Sequence, residues 1–184
     1  MERSRLILDT AAELFYEKGF HGTSVDELGA RAGLSGPALY RHFSGKDEIL
    51  GTLVTEAMER LIYAVEPVLD DPVADLERLI RHHVEFAVVH RHLVNVTQRE
   101  ERSLVDPWLW TITEQRLKYL CGWEAAVRRC LPVATDEEVT VATQTCLSVV
   151  FSIAYWPAEV SRSSDLADLI VRLVREGMDT FRTR

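Results

Sequence analysis

The sequence is short of the features that mark membrane, secreted and zinc-binding proteins. Its 184 residues contain no uninterrupted apolar run of about 18 residues, so they predict no membrane span. The first residues mix charged and apolar side chains, unlike a signal peptide, and we expect the protein in the cytoplasm. Cys121, Cys130 and Cys146 are widely spaced and form no C-x-x-C pair, so we expect small buried side chains and neither a disulfide framework nor a structural zinc site.

Signatures of catalysis and of β-structure are missing as well. There is no P-loop, G-x-S-x-G, H-E-x-x-H or dinucleotide-binding fingerprint, so we expect neither an enzyme nor a bound cofactor. No segment alternates apolar and polar residues over the length of a strand, and no Asn-Gly or Asp-Gly hairpin turn occurs. Because 47% of the residues are hydrophobic and 27% charged, the chain can bury a core, and we predict an all-α fold.

Positive charge is scarce in the chain as a whole. The formal net charge is -8 and the isoelectric point about 5.3, which counts against a DNA partner because DNA affinity depends largely on neutralising phosphates. The segment from Ser35 to Lys46 differs, since its charged residues are Arg41 and Lys46 and it contains no acid. A small basic face on an acidic body is compatible with DNA binding, especially if a dimer presents it twice.

Three short helices are predicted at the amino end. Apolar spacing favours a first helix that Gly19 ends. Ser24 and Glu27 match the S-x-x-E pattern of a capping box, which predicts the start of a second helix that Gly33 stops. Pro37 fits the first turn of a third helix, where a missing N–H costs nothing. Short helices joined by a glycine-bearing turn predict a helix-turn-helix.

Longer helices are predicted in the rest of the chain. A fourth helix begins near Lys46, and further helices are expected near 73–91, 93–103, 107–130, 136–155 and 165–182, separated by Pro-containing breaks. We expect two domains, a helix-turn-helix head over residues 1–46 and a larger helical body over residues 47–184.

The third helix defines the surface that would meet DNA. At about 100° per residue, Leu39 and Phe43 lie on one face and anchor the helix to the core. The positions expected to point outward are Pro37, Ala38 and Arg41, and those expected on the flanks are Tyr40 and His42. A recognition helix enters the major groove with such an arrangement.

The chemistry of these residues assigns their roles. Arg41 is the long donor on the outward face and can bind guanine O6 and N7, a contact worth about 1–3 kcal/mol of discrimination. Pro37 and Ala38 can touch thymine methyl groups. The remaining predicted contacts, to phosphates or along the turn, are Thr23, Ser24, Ser35, Gly36, Tyr40, His42 and Lys46. A purely structural three-helix bundle is the alternative.

Five stretches carry a family resemblance: 11–15 (AAELF), 19–25 (GFHGTSV), 32–35 (AGLS), 39–43 (LYRHF) and 46–50 (KDEIL). Residues from about 7 to 50 resemble the DNA-binding domain of the TetR family of bacterial repressors. The resemblance implies DNA contacts from the third helix and its borders, and a dimer interface made by the last two helices. Two departures are Gly36-Pro37, where a polar pair is frequent, and Gly29, which costs about 1 kcal/mol of helix propensity unless the backbone packs closely there.

The carboxyl-terminal half fits the implied dimer. Residues 139–156 are apolar nearly all round, and the last helix carries an apolar stripe of Leu166, Leu169, Ile170, Leu173, Val174 and Phe181. A helix without a polar face must be covered on both sides, so we expect a homodimer through the last two helices, with an entirely intramolecular core as the alternative. Two heads suit a palindromic operator with half-sites about 34–36 Å apart, or a multiple of that.

The middle helices are expected to enclose the site of a small-molecule effector that releases the repressor from DNA. Aromatic side chains with few charges nearby favour a hydrophobic or acyl-type molecule. The candidate ligand-binding residues are Phe86, His90, Trp108, Gln115, Tyr119, Leu147, Phe151 and Tyr155. One alternative is a metal-sensing regulator that uses His82, His83 and His90. The charge cluster at 99–102 is expected to be solvated or internally paired, with binding of an anionic ligand group as the alternative.

Overall fold

The structure is a computed structural model that describes residues 2–67 and 69–181. These residues form helices and turns without any strand, so the predicted all-α fold is confirmed. The α-helices are α1 (Glu2–Lys18), α2 (Val25–Arg31), α3 (Gly36–Leu39), α4 (Lys46–Val65), α5 (Pro72–Val89), α6 (Arg91–Glu100), α7 (Trp108–Cys130), α8 (Asp136–Ser152), α9 (Ala158–Ser161) and α10 (Leu166–Asp179). Single 3-10 turns, Glu101–Ser103 and Ile153–Tyr155, follow α6 and α8. Residue 182, where the last predicted helix ends, lies outside the described residues.

The ends of α2 show how the sequence sets the helix-turn-helix. The Ser24 hydroxyl accepts the backbone N–H of Glu27 at 3.1 Å, so Ser24 is the predicted N-cap. The Glu27 carboxylate pairs with Lys18 across the turn, and the predicted capping box is therefore only half formed. After α2, Gly33 has a φ of 68°, a left-handed conformation that glycine adopts without strain and that turns the chain toward α3.

The first of two compact units comprises Met1–Glu59 and His92–Glu114. Within it α2 packs against α1 and α3, and the buried side chains between them include Ile7, Leu14, Phe15, Leu28 and Leu39. Helix α6 belongs to the same unit. The His92 ring stacks on Tyr16 with centroids 4.4 Å apart, and Ser103 lies 3.2 Å from the Nε2 atom of His21. The head of α1–α3 is thus packed against residues from much later in the chain.

The second unit comprises Arg60–Arg91 and Gln115–Arg184. In it α5 packs against both α8 and α10, and α8 also packs against α10. Leu79, Ile80, Trp123, Val127 and Leu131 are among its fully buried side chains. The two units do not share the limits of the predicted domains, because α4 and α7 each contribute residues to both. The boundary between residues 46 and 47 stays a prediction about function.

A buried ionic network fixes the start of α5 in the second unit. The Asp75 carboxylate is buried and accepts from Arg78 Nε at 2.9 Å and from Arg129 Nη1 at 2.9 Å. Arg78 also donates to the carbonyl oxygen of Ala64, and Arg129 donates to that of Leu69. Each charge therefore has an opposite charge or a carbonyl to bond, which a buried ion pair needs to offset its desolvation.

Helix α8 is the most apolar long helix. With the following turn, residues 136–155 are long and apolar enough to cross a membrane by length and composition, a test that the core helix of a soluble protein also passes. Their inward side includes the buried thiol of Cys146, whose pKa burial raises to about 11. Cys130 is buried as expected, whereas Cys121 is exposed on α7, so the expectation of a buried side chain is wrong there.

Candidate functional site

Helix α3 is a single turn anchored by two of the predicted core residues. The N–H of Tyr40 donates to Gly36 at 3.1 Å and closes that turn. Beyond it, the N–H of Phe43 donates to the carbonyl of Leu39 at 3.1 Å, so the chain keeps a helix-like path for a few more residues. Leu39 and Phe43 consequently share the buried face, as their spacing predicted.

The opposite side of this segment is open to solvent and rich in donors. Pro37, Tyr40, Arg41 and His42 are exposed, and 56% of Tyr40 is accessible. Within residues 2–67 and 69–181 the Arg41 guanidinium has no recorded partner, so its five N–H groups are available to an external acceptor. Ser35 at the helix start is exposed as well, and its side chain makes no cap hydrogen bond.

The side chain of Ala38 does not point outward as expected. The helical wheel placed its methyl group outward, but the side chain is buried. The wheel assumed a helix that continues, whereas α3 stops after four residues and lies close against α2. A thymine contact from Ala38 is therefore wrong, and Pro37 is left as the exposed apolar group of this turn.

Gly29 explains how close that packing is. A Cβ atom placed on Gly29 would stand 3.2 Å from the carbonyl oxygen of Leu34 and 3.9 Å from the Leu39 side chain. The N–H of Leu34 also donates to the Gly29 carbonyl at 2.8 Å. The glycine that departs from the family pattern thus lies where α2 and the turn before α3 approach so closely that a Cβ atom would require a small shift.

Of Thr23 and Ser24, both predicted to contact phosphate, only Ser24 is exposed. The Thr23 side chain is 1% exposed and its hydroxyl donates to the Gly19 carbonyl at 3.0 Å, so a phosphate contact from this hydroxyl is wrong. Ser24 is exposed at the amino end of α2, with its hydroxyl already accepting one backbone N–H. Thr23 shapes the turn, and Ser24 remains accessible.

Lys46 is also tied to the protein itself. Its ammonium donates to the carbonyl oxygens of Phe20 at 3.0 Å and Thr23 at 3.2 Å, and it lies 4.5 Å from the centre of the Phe20 ring. An ammonium has three donors, so one remains for a phosphate. The side chain thus links the start of α4 to the turn before α2, a contact that the sequence did not predict.

The start of α1 adds a group that the sequence did not suggest. The Ser4 hydroxyl lies 3.2 Å from Nδ1 of His42 and holds the imidazole beside the end of α3. Arg3, the preceding residue, is exposed. Nothing in the local pattern connects residues 38 positions apart, and only the basic character of the first residues marks this end of the helix.

A cluster of buried polar groups lies in the core of the second unit. The His83 ring is 5.6 Å from the Tyr119 ring and 5.0 Å from the Trp123 ring, and Tyr119 is 6.2 Å from Phe151. His83 Nδ1 lies 2.8 Å from the Leu79 carbonyl oxygen. Burial lowers the pKa of His83 to about 4 and raises that of Tyr119. Both side chains are therefore neutral at pH 7.

Comparison with known proteins decides the family. Residues 7–53 match the model of the bacterial regulatory proteins of the tetR family. The crystal structure of the TetR family transcriptional regulator PfmR from Thermus thermophilus is 30% identical, with 90% of this chain and 94% of that chain covered and a TM-score of 0.74. The chain belongs to the TetR family. The matched proteins are transcription regulators, in agreement with the prediction that the chain is not an enzyme.

Two further relatives differ in what their names say they do. The transcriptional activator FasR of Mycolicibacterium smegmatis is 27% identical over 96% of this chain and 67% of its own length. The structure of AibR in complex with isovaleryl coenzyme A and operator DNA is 26% identical, covers 93% of this chain and 97% of that chain, and has a TM-score of 0.78. Alignments to the next curated relatives span only 52% and 56% of their lengths.

The predicted effector residues of this TetR-family chain do not all come together. Tyr119 and Phe151 lie near each other, and Leu147, one turn before Phe151 on α8, is buried. Gln115, one turn before Tyr119 on α7, has a buried side-chain oxygen with no partner among the described residues. Tyr119 belongs to the polar cluster and Phe151 lies beside it, whereas His83 was considered only for the alternative metal site and Trp123 was not among the candidate ligand-binding residues.

The other predicted effector residues lie elsewhere. Trp108 falls in the first unit, where its ring covers the backbone of Gly51. Tyr155 is 52% exposed. The His90 ring packs against Phe86 at 4.9 Å, and its Nε2 atom lies 3.4 Å from Arg60. Trp108 and Tyr155 thus lie apart from the buried polar cluster, and Phe86 and His90 form a pair at the end of α5.

The histidines do not form the alternative metal site. No group of three or more metal-ligating side chains is assembled within the described residues. His83 already directs Nδ1 at the Leu79 carbonyl, while His90 faces Arg60. Within the described residues, His82, His83 and His90 are therefore not brought together as one set of metal ligands. In the cluster at 99–102, Arg99 donates to the Tyr16 carbonyl at 3.4 Å.

Proposed function

We propose that the protein is a homodimeric repressor that binds a palindromic operator through α3 and its borders, and that a small hydrophobic or acyl-type molecule releases it. The observation that carries the proposal is the exposed donor surface of Tyr40, Arg41 and His42, backed by the buried anchors Leu39 and Phe43. A rigid scaffold behind a short, donor-rich surface is what major-groove recognition requires.

The proposed DNA contacts follow from exposure and chemistry. Arg41 reads guanine, and Pro37 supplies the apolar contact at the start of α3. Tyr40, His42 and the third donor of Lys46 bind phosphates and set the position of the helix. Further contacts come from Ser24, Ser35 and the backbone of Gly36, all at helix amino ends, where free N–H groups favour anions.

A second copy of the chain is the proposed partner of α8 and α10. Leu169 and Leu173 lie one turn apart on α10 and are 44% and 66% exposed, although Ile170 and Val174 beside them are buried. Val141 on α8 is also half exposed. Removing these leucines from water favours association, and a twofold dimer presents two heads to a twofold-symmetric operator.

The effector and the direction of regulation rest on the relatives and on simple sterics. AibR was crystallised with isovaleryl coenzyme A and operator DNA, which supports an acyl-type effector. FasR is named an activator, so relatives differ in direction. We favour repression because occupation of a promoter by itself excludes other proteins. A regulator of this kind acts in the cytoplasm, where the DNA is.

Binding to the DNA upstream of its own gene tests the proposal. We expect sequence-specific binding whose affinity falls steeply with salt, because phosphate contacts release counterions. Arg41→Ala should cost about 1–3 kcal/mol of discrimination at one base pair, a loss of about 5- to 150-fold. Arg162→Ala, which removes an exposed arginine of the second unit, is the matched control and should leave binding unchanged.

The same assay contains the contrary outcome. If the protein binds no DNA at low salt, or if Arg41→Ala leaves discrimination intact, the proposed interface is wrong. A sedimentation measurement tests the dimer, because Leu173→Glu should place a charge in the proposed interface and shift the protein toward the monomer. A Leu173→Glu protein that remains fully dimeric would move the interface elsewhere.

A further inference from the structure

The buried imidazole of His83 has one ring nitrogen that nothing in the described protein satisfies. Its Nδ1 atom lies 2.8 Å from the Leu79 carbonyl oxygen, which accepts only, so Nδ1 carries the proton. In the neutral ring Nε2 then bears a lone pair. That atom is buried without a hydrogen-bond partner among the described residues, and the side chain as a whole is 1% exposed.

The neighbouring aromatic groups bring donors to the same place. The hydroxyl of Tyr119 and the indole N–H of Trp123 are both buried without a partner of hydrogen-bonding geometry in the described chain. The centroids of the Tyr119 and Trp123 rings are 6.5 Å apart. Both rings contact the His83 ring, so an acceptor and two donors lie together in one apolar core.

Unsatisfied polar atoms of this kind are costly. Each buried donor or acceptor without a partner loses the hydrogen bond that it makes to water in the unfolded chain, and native proteins leave few such groups. Phe151 supplies apolar surface 6.2 Å from Tyr119, and the His82 ring lies 5.6 Å from the His83 ring. A guest with an apolar body and a small polar end would satisfy these atoms and displace nothing charged.

The donor and acceptor pattern selects the polar end. A hydroxyl donates one hydrogen bond and accepts others, which matches a lone pair on His83 and N–H or O–H groups on Trp123 and Tyr119. A carboxylate only accepts, so it leaves His83 unsatisfied unless the ring is protonated. Burial holds the pKa of His83 at about 4, and protonation at pH 7 is therefore unfavourable.

We propose that the core around His83, Tyr119 and Trp123 binds the hydroxyl end of a neutral, largely apolar molecule, with His83 Nε2 accepting the hydroxyl proton. The inference rests on the proposed function, because it specifies the class of effector at that site. It narrows the hydrophobic or acyl-type class to molecules whose buried end is an alcohol and not an acid.

Three probes that share a ten-carbon chain test the hydroxyl requirement in the full protein: 1-decanol, its methyl ether and decanoate. We expect 1-decanol to bind about tenfold more tightly than the ether, the difference that one buried hydrogen bond of about 1.4 kcal/mol gives. Decanoate should bind more weakly than the alcohol at pH 7. Binding is read from the shift of the thermal midpoint at fixed protein concentration.

Substitutions connect the preference to the named atoms. His83→Phe keeps an aromatic ring but removes the acceptor, and the alcohol should lose its tenfold advantage over the ether. Tyr119→Phe should reduce that advantage in part. Tyr63→Phe is the matched control, because it removes the same hydroxyl from a side chain that is 80% exposed, and it should leave the ratio unchanged.

A measurement on the unaltered protein keeps the test decisive if His83→Phe does not fold. In protein with ¹⁵N-labelled histidine, 1-decanol should shift the resonance of one unprotonated ring nitrogen, whereas the ether should not. Equal binding of alcohol and ether, tighter binding of decanoate, binding of no probe, or an unmoved resonance would each overturn the inference, with an ordered water as the occupant instead.

The inference and the proposed function fail separately. DNA binding by the same preparations is measured without any probe. A protein that binds DNA specifically but shows no hydroxyl preference keeps its proposed role and loses this effector class. A protein that prefers the alcohol but binds no DNA keeps the hydroxyl site and loses the proposed role.

Discussion

The head of α1–α3 and the core of the second unit treat buried polar groups in opposite ways. In the head, Thr23 and Lys46 each bond to backbone carbonyls of the turn before α2. In the second unit, His83, Tyr119 and Trp123 keep polar atoms without partners in the described chain. A network in which every polar group is hydrogen-bonded favours one conformation. Buried polar atoms without a partner can instead form hydrogen bonds with a bound molecule. The contrast separates a surface that must keep its shape from a core that can respond.

The largest expected effect tests whether the second unit is merely poorly satisfied throughout. Asp75 lies in that unit with two arginine partners, so Asp75→Ala should lower the free energy of unfolding by about 3 kcal/mol. Asp136→Ala removes a fully exposed partner of Arg128 and should leave the free energy of unfolding almost unchanged. Denaturant unfolding measures the free energy of both variants. Similar small losses would mean that the buried Asp75 network stabilises the second unit no more than an exposed ion pair does.

Acid should weaken the core through His83. Its pKa is about 4 in the folded protein and 6.5 when unfolded, so between those values the unfolded state binds the extra proton. The stability that comes from keeping this ring neutral is complete above pH 6.5 and falls by about 3 kcal/mol as the pH drops to 4.

The difference between two proteins isolates that contribution from other titrating groups. His83→Phe should show a shallower loss of unfolding free energy between pH 6.5 and 4 than the unaltered chain. Parallel pH curves for the two proteins would mean that His83 does not stay buried and neutral. The contrast between the two regions would then no longer hold for His83.

In the head, removing the hydrogen-bonded charge of Lys46 should lower the free energy of unfolding by less than Asp75→Ala does, but it should also weaken DNA binding. Lys46→Met keeps the stem and loses two bonds to carbonyls, so we expect about 2 kcal/mol less stability. Affinity should fall similarly for all DNA sequences. Lys18→Met, which breaks only the partly exposed pair with Glu27, is the control and should cost less than about 1 kcal/mol. Equal losses of stability in the two variants would mean that the hydrogen bonds of Lys46 to the turn before α2 do not stabilise the head.

The smallest expected effect concerns the tether of His42. Ser4→Ala removes one part-exposed hydrogen bond, so we expect about 0.5 kcal/mol less stability and a loss of DNA affinity of a few fold. Ser103→Ala breaks a hydrogen bond of the same kind, to His21, and should not change DNA affinity. Fluorescence anisotropy with labelled operator measures both, and a matching loss in the two variants would count against a specific role for Ser4.

Local periodicity was enough to predict the anchors of the head. Leu39 and Phe43 are four residues apart, and their burial follows from one hydrogen bond between their backbones. Ala38 was placed wrongly because the number of turns in α3 depends on its packing against α2, which the sequence of α3 does not state. The N-cap at Ser24 was predicted because its partner is three residues away.

Contacts between distant residues escaped prediction. Lys46 bonds to carbonyls more than twenty positions earlier, and backbone carbonyls leave no mark in a side-chain pattern. His83 meets Trp123 forty positions later, so its environment depends on how α5 and α7 pack. A histidine on an amphipathic helix is equally consistent with a surface position, a metal site or a buried hydrogen-bond acceptor, and the fold chooses among them.

The glycine at position 29 makes the spacing of two helices sensitive to a single methyl group. A Cβ atom there would press on the Leu34 carbonyl at 3.2 Å, and the turn before α3 would have to yield by a few tenths of an ångström. That turn leads directly into α3, which precedes Arg41. Exchange at Gly29 is therefore a change that would alter the proposed DNA-binding surface while every proposed contact residue stays the same.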